Sequence, residues 1–126
     1  IMEANNIALK YLDSFSEGDP DIVAALVTED FINDQVGLLG ARFQGRSLYR
    51  DRLDGFLNRF QGIRYKAEQV IAEGENLAVV YTLTAMEDKS PIVIRGVMVI
   101  TIKGNLIKKR SDYWDGLNYL AQSGIV

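Results

Sequence analysis

The chain has 126 residues, of which 48% are apolar and 25% charged, and its formal net charge at pH 7 is -3. This length and composition indicate one globular domain with its own core, spanning residues 1–126. The acidic balance argues against a nucleic-acid-binding surface, and no membrane span or secretory leader is visible, so we expect a cytoplasmic protein without membrane or nucleic-acid partners.

Two residue types are missing, and their absence limits the reactive groups that the protein can use. The chain contains no His and no Cys, which excludes disulfides, thiol nucleophiles, zinc–thiolate sites and an imidazole base. Acid–base chemistry would then use Asp, Glu, Tyr or Lys with a pKa shifted by burial. No acidic cluster has metal-ligand spacing and no glycine-rich phosphate loop occurs, so we expect neither a metal nor a cofactor.

The first half of the sequence predicts three helices. Apolar residues recur at helical spacing over residues 3–17, and Gly18 ends this helix as a C-terminal cap. A second helix covers Ile22 to Val27 and closes at residues 28–30, with Asp19 or Asp21 as its N-terminal cap and Pro20 near its first position. A third helix begins at Ser47 and ends before Gly62. Between the second and third helices, Phe31 to Val36 predicts a short strand, and residues 37–45 predict a loop with a brief extended piece at Ala41–Phe43.

The second half changes to the composition of β-strands. Runs rich in Val, Ile, Tyr and Thr alternate with turn signals. The short connections require antiparallel pairing, and helices followed by such a meander indicate an α+β fold whose concave sheet encloses a cavity. The predicted strands are Ile63–Ala72, Leu77–Met86, Ile92–Lys103 and Leu106–Trp114, and a last helical piece covers Gly116 to Gln122.

Three segments carry a family resemblance over nearly the whole chain. They are ALKYLDSFSEGDPDIVAALVTEDF at the start, the step Phe43-Gln44-Gly45-Arg46 into the third helix, and DYWD followed by a helix at the end. Together and in this order they resemble the nuclear transport factor 2-like superfamily, in the SnoaL-like branch of polyketide cyclases, limonene epoxide hydrolase and ketosteroid isomerase. The resemblance implies a cone-shaped α+β barrel with three N-terminal helices packed on a strongly curved antiparallel sheet. That fold hosts many chemistries.

The resemblance to the cyclases and to limonene epoxide hydrolase suggests a catalytic carboxylate. In those enzymes an Asp on the last strand is the acid–base residue, and the match places it at Asp112, while Asp115 is expected to cap the last helix. In limonene epoxide hydrolase the central strand also carries an Arg and a second Asp. The matching positions here are Thr84 and Met86, so we do not expect epoxide hydrolysis.

The resemblance to ketosteroid isomerase suggests two further residues. Its first-helix Tyr, which with a protonated Asp holds an oxyanion, matches Tyr11, although Tyr11 also fits a core tyrosine with a satisfied hydroxyl. Its general base matches Asp34 if one residue is deleted and Gln35 if the alignment is ungapped. The second oxyanion Asp falls near Gly96, so at least half of that oxyanion hole is missing.

Strand alternation groups the residues around Asp112. If Asp112 faces the interior, Arg110 and Trp114 do so too. On the neighbouring strand, the resemblance implies that a row of apolar side chains faces inward. Such a row would desolvate Asp112 and raise its pKa. The alternative is a surface Asp112 paired with Arg110 or Lys109, with Lys108 to Arg110 forming a solvated basic edge. The inward set of that neighbouring strand is Ile92, Ile94, Gly96, Met98 and Ile100.

We therefore expect a cofactor-free lyase or isomerase that moves a proton next to a carbonyl of a small apolar molecule, with Asp112, Asp34 and Tyr11 as catalytic residues. The alternative is a non-catalytic ligand-binding or dimerisation module of the same fold. The family also implies a homodimer through the outer sheet face, around Val93, Arg95, Val97 and Val99. The expected substrate-binding residues are Arg110, Trp114, Gln35, Met98, Ile94 and Met86.

Overall fold

Helices and strands separate along the chain as the change of apolar period predicts. The computed structural model describes residues 3–125. The helices are α1 (Ala4–Ser14, continued by a 3-10 turn at Phe15–Glu17), α2 (Pro20–Ala24), α3 (Arg46–Arg59) and α4 (Gly116–Gln122). The strands are β1 (Val27–Val36), β2 (Arg42–Gln44), β3 (Gln61–Glu73), β4 (Asn76–Glu87), β5 (Ser90–Lys103) and β6 (Leu106–Trp114).

Local capping chemistry sets several of the helix boundaries. Gly18 ends the first helical segment in the left-handed region, with φ 70°, a conformation that glycine adopts without a Cβ penalty. The Asp19 side chain accepts a hydrogen bond from the Asp21 backbone N–H at 2.9 Å and caps α2. Asp115 likewise caps α4 by accepting from the Asn118 N–H. The predicted second helix was placed too late, because Val27 already begins β1 and residues 28–30 continue that strand.

The six strands form one curved, open sheet in the order β2-β1-β6-β5-β4-β3. The pairs from β3 to β6 are antiparallel, as their short connections predicted. The sheet departs from antiparallel pairing at one position, since β1 pairs with β6 in parallel. No turn constrains that pair, because most of the chain separates β1 from β6, and only tertiary packing brings them together.

Side-chain alternation directs one face of the sheet toward α1 and α3. Along β5 the residues Ile92, Ile94, Met98 and Ile100 are buried, as predicted, while Val93, Arg95 and Val99 are exposed on the outer face. Pairing of that outer face with a second copy stays a prediction. Among the described residues, no helix combines the length and apolar character needed to cross a membrane.

The phase of β4 corrects one part of the expected site. Buried residues along β4 include Tyr81, Leu83 and Ala85, so the intervening Thr84 and Met86 point to the other side. Met86 is 41% exposed. The inward positions of this strand therefore differ by one residue from those that the comparison with limonene epoxide hydrolase suggested.

Candidate active site

A cavity of about 620 Å³ lies between the concave face of the sheet and α3. This volume suits a drug-sized ligand. Aromatic and aliphatic side chains dominate its wall, and charged groups lie at its inner end and near its opening. The lining residues are Phe15, Asn33, Gln35, Leu39, Gly40, Ala41, Phe43, Tyr49, Arg52, Leu53, Phe56, Arg59, Phe60, Tyr65, Tyr81, Leu83, Ile94, Arg110, Asp112, Trp114, Tyr119, Leu120 and Ile125.

A buried ion pair from β6 forms the inner end of this cavity. Arg110 Nη2 donates to Asp112 Oδ2 at 2.6 Å, and the two side chains are only 5% and 3% exposed. Their two-residue spacing on one strand places both on the same face. The alternative of a solvated basic edge is therefore wrong for Arg110, although it holds for Lys108, which is exposed.

Tyrosine hydroxyls from other elements complete the ion pair. Tyr81 on β4 donates to Asp112 Oδ1 at 2.6 Å. Arg110 donates from Nη1 to the Tyr11 hydroxyl at 2.9 Å and from Nη2 to the Tyr65 hydroxyl at 3.1 Å. The Tyr11 hydroxyl also forms a short hydrogen bond with the hydroxyl of Tyr49 on α3. Arg110 thus links Asp112 to a cluster of tyrosines, and its Nε has no hydrogen-bond partner among the described residues.

Burial holds the tyrosine hydroxyls in their neutral form. It raises the pKa of Tyr65 to about 12, and it raises the pKa of Tyr49 well above its ordinary value. Burial also raises the pKa of Tyr81, and the adjacent Asp112 carboxylate adds to the effect. Although burial alone would lower the pKa of Arg110, the surrounding tyrosines and Asp112 raise it well above the usual value. The site therefore contains neutral hydroxyl donors around a permanently charged guanidinium.

Gly96 makes room for the Tyr81 hydroxyl. A Cβ at this position would lie 2.6 Å from the Tyr81 hydroxyl oxygen and 2.7 Å from the backbone oxygen of Tyr113. Such distances are too short for any side chain without local movement. The position where the resemblance expects an oxyanion Asp therefore supports the contact between Tyr81 and Asp112.

A polar row on β1 and β6 forms another part of the wall. The parallel register sets Asn33 beside Arg110 and Gln35 beside Asp112. The Gln35 side chain donates to Asn33 Oδ1 at 2.8 Å, and Trp114 Nε1 donates to Gln35 Oε1 at 3.1 Å. Because Asn33 and Gln35 share the inward phase of β1, Asp34 points to the opposite face of the sheet.

A second charged cluster lies near the cavity opening. Arg59 Nε forms an ion pair with Glu87 Oε2, and the Tyr119 hydroxyl donates to the same oxygen at 2.7 Å. Arg59 Nη2 in turn donates to the Tyr119 hydroxyl at 2.7 Å. Burial would raise the pKa of Glu87, but the hydrogen bonds from Arg59 and Tyr119 outweigh it and lower the pKa.

The structure brings together most, but not all, of the expected site residues. Asp112, Arg110, Trp114, Gln35 and Ile94 line the cavity. Tyr11 and Met98 are fully buried behind the wall, and the Tyr11 hydroxyl contacts the lining residues Arg110 and Tyr49. The strand phases described above leave Asp34 and Met86 outside the lining. The candidates near Asp112 thus surround one cavity, and the more remote ones lie outside its lining.

Sequence reasoning missed Tyr65 and Tyr81. Each nevertheless had a detectable signal. Tyr65 and Tyr81 lie on the inward phase of predicted strands, and a buried hydroxyl requires a hydrogen-bond partner. Within residues 3–125, Asp112 is the only carboxylate in the cavity lining, and no group of three or more potential metal-ligating side chains occurs.

Comparisons with known proteins identify the family. A family model described as the SnoaL-like domain matches residues 8–110, and this match covers most of the sequence. The chain therefore belongs to the SnoaL-like domain family, whose fold is the nuclear transport factor 2-like cone. A search of the curated proteins found no significant match.

Solved structures with the same fold include proteins of several activities. An LEH-like epoxide hydrolase from M. tuberculosis has a TM-score of 0.82 at 19% identity, covering 94% of this chain and 87% of its own. The epoxide hydrolase/cyclase-like enzyme SalBIII, which has a role in pyran ring formation in salinomycin, has a TM-score of 0.80 at 19% identity, with 91% and 92% covered. A hypothetical protein with a ketosteroid isomerase-like fold from Catenulispora acidiphila, solved in complex with trimethylamine, has a TM-score of 0.85 at 16% identity, with 95% and 93% covered. At these identities the likeness shows the fold alone.

Proposed function

We propose that this protein catalyses cofactor-free proton transfer next to a carbonyl of a small apolar substrate, as a lyase or isomerase of the polyketide cyclase-like or ketosteroid isomerase-like kind. The observation that carries the proposal is the Asp112 carboxylate, which lines an otherwise largely apolar cavity. Such a cavity excludes water around a reacting carbon and strengthens the electrostatic interactions within it.

Asp112 retains the capacity to act as an acid–base group. A carboxylate has about four acceptor positions, and the described residues occupy one on each oxygen, from Tyr81 and Arg110. An acidic C–H of a bound ketone could therefore approach a remaining lone pair. Asp112 would remove this proton and leave an enolate. If the proton returns to another carbon, the reaction is that of an isomerase. If the enolate attacks a second carbonyl and the new alkoxide is then protonated, the reaction is that of a cyclase.

Tyr65 is the best-placed donor for the developing oxyanion. Its hydroxyl lines the cavity and accepts from Arg110, and its own hydrogen has no acceptor among the described residues. A hydroxyl already hydrogen-bonded to a guanidinium is a stronger donor than a free one. This arrangement supports Tyr65 in the role that the resemblance gave to Tyr11, which would instead position Arg110 and Tyr49.

One observation favours the alternative of a non-catalytic binding module. Both Asp112 oxygens already receive short hydrogen bonds, one from the Tyr81 hydroxyl and one from the Arg110 guanidinium. Asp112 would then serve as the counter-ion of Arg110, and the cavity would bind a ligand without converting it.

Deuterium exchange distinguishes these two functions with simple ketones in place of the natural substrate. The wild type is incubated in deuterium oxide with cyclic ketones, steroid enones and diketones, and proton NMR follows the hydrogens next to each carbonyl. We expect accelerated exchange with at least one ketone class, and Asp112→Asn should slow it by about 100-fold or more. Ketone binding, measured by quenching of Trp114, the sole tryptophan, should persist.

Asp88→Asn is the matched control for this experiment. Asp88 is exposed in the β4–β5 turn with φ 49°, a conformation that Asn tolerates. The control should exchange at the wild-type rate. Absence of accelerated exchange with every ketone would instead support the binding module, and accelerated exchange that Asp112→Asn leaves unchanged would overturn the role of Asp112.

A further inference from the structure

Arg52 places an uncompensated guanidinium at the cavity opening. It lies on α3, lines the cavity and is exposed to solvent. Its Cζ is 4.5 Å from the centroid of the Phe43 ring, which also lines the cavity. In the part of the chain that the structure describes, the neighbouring arginines Arg50 and Arg59 have acidic partners, and Arg52 has none.

The charges around the cavity therefore sum to a positive value. Arg110 is balanced by Asp112, and Arg59 is balanced by Glu87. Arg52 remains, although the chain as a whole carries a net charge of -3. Because charge that lines a low-dielectric cleft focuses the local field, this opening attracts anions while the rest of the surface repels them.

We propose that the ligand of this cavity is an apolar molecule that carries a carboxylate, and that Arg52 binds this carboxylate at the opening. A guanidinium offers a planar pair of donors that matches a carboxylate, and contact with the Phe43 ring restricts its orientation. The apolar body of the ligand then occupies the aromatic part of the cavity.

The inner charge fixes the direction in which such a ligand enters. The Asp112 carboxylate at the inner end repels a second carboxylate, so the anionic end stays at Arg52 and the other end approaches Tyr65 and Asp112. Only this last point rests on the proposed function, because there the inner end is the carbonyl that reacts. Binding of the anionic end requires no catalysis.

A pair of probes that differ in charge alone tests the proposal. Ketoprofen combines a diaryl ketone with a carboxylate, and its methyl ester has the same body without the charge. Because Trp114 lines the cavity and is the sole tryptophan, quenching of its fluorescence reports the binding of either probe. We expect the wild type to bind ketoprofen about five- to tenfold more tightly than the ester, and added salt should weaken the binding of the acid alone.

Variants then identify the guanidinium that is responsible. Arg52→Gln should reduce the affinity for ketoprofen to that for the ester and leave ester binding unchanged. Arg64→Gln, which removes an exposed positive charge on β3 outside the cavity, should retain the wild-type preference. The far-ultraviolet circular dichroism of both variants should match that of the wild type, because both side chains are exposed.

Three results would overturn the proposal. They are equal affinities of the wild type for acid and ester, binding of neither probe, and loss of the preference in Arg59→Gln rather than in Arg52→Gln. The result is separable from the proposed function, because an acid preference that depends on Arg52 can occur without deuterium exchange. Conversely, exchange that depends on Asp112 without an acid preference would remove this inference only.

Discussion

An arginine, an acidic side chain and a tyrosine meet at two places around this cavity, and the two arginines differ greatly in exposure. Arg110, Asp112 and Tyr81 form the inner cluster, in which the arginine and aspartate side chains are 5% and 3% exposed. Arg59, Glu87 and Tyr119 form the outer cluster, in which the arginine is 60% exposed and the glutamate 8%. The outer arginine is exposed to solvent, whereas the inner one is buried among protein groups.

This difference in exposure changes how much the loss of a hydrogen-bond partner costs in each cluster. The inner ion pair lies in a low-dielectric surrounding, where each lost partner is costly and each hydrogen bond is strong. The outer pair connects α3, the end of β4 and α4 across the opening. Its arginine can exchange a lost partner for water. The proposed function therefore uses the inner cluster, whereas the outer cluster joins the elements around the opening.

The largest expected effect comes from removing one arginine from each cluster. Arg110→Met should lower the free energy of unfolding by about 3–5 kcal/mol, because it leaves the Asp112 charge buried without its partner. Arg59→Met should lower it by at most about 1 kcal/mol, as for other partly exposed pairs. Urea unfolding of both variants measures the difference.

A double variant sharpens this comparison. Arg110→Met with Asp112→Leu should recover much of the loss, because apolar replacement of a whole buried pair removes the unpaired charge. Equal losses in the Arg110→Met and Arg59→Met single variants would contradict the contrast between the clusters.

An intermediate effect on stability is expected at Gly96, which leaves room for the Tyr81 hydroxyl of the inner cluster. Gly96→Ala should cost about 1–3 kcal/mol, the usual range for overpacking, because the new methyl group displaces the Tyr81 hydroxyl from Asp112. Gly55→Ala is the control. It lies within α3, its Cβ would meet no atom within 4 Å, and it should stabilise the fold by about 0.5–1 kcal/mol.

Thermal unfolding and a double-mutant cycle with Tyr81→Phe test this prediction. Removal of the hydroxyl should relieve part of the crowding, so the alanine should cost less in the phenylalanine background. Independent, additive effects would show that Gly96 does not act through Tyr81.

The smallest effect is a pH dependence of the outer cluster. The hydrogen bonds from Arg59 and Tyr119 lower the pKa of Glu87 in the folded chain below its ordinary value of 4.5. This group therefore adds stability at pH values above 4.5, and the contribution is lost as the pH falls through the lowered pKa. Glu87→Gln should be less stable than the wild type near neutral pH, and the gap should narrow in acid. A gap that widens as the pH falls would reverse the sign that we assign.

Part of the inner cluster was predictable from the sequence, because it depends on alternation within single strands. The positions of Arg110, Asp112 and Trp114 on β6 placed all three on one face. The same rule, applied to β3 and β4, would have marked Tyr65 and Tyr81 as buried hydroxyls in need of partners. The phase of β1 was harder to predict, since Asn33, Asp34 and Gln35 are all polar, and the family resemblance left Asp34 and Gln35 as alternatives.

Other features depended on contacts between segments that are distant in sequence. The hydrogen bonds from Arg110 to Tyr11 and Tyr65 join residues separated by 99 and 45 positions. The parallel pairing that sets Gln35 beside Asp112 likewise joins strands from opposite ends of the chain. The pattern of residues within either segment does not predict such a distant partner.

The sequence by itself determined the local structure: the left-handed cap at Gly18, the capping aspartates, the strand meander and which residues share a face of β5 and of β6. These features follow from backbone sterics, capping hydrogen bonds and side-chain alternation, which act over a few residues. Only the tertiary structure decided that Asp112 pairs with Arg110 among tyrosines and that Asp34 faces away. Only the tertiary structure also left Arg52 without an acidic partner, because burial and pairing depend on which distant segments pack together.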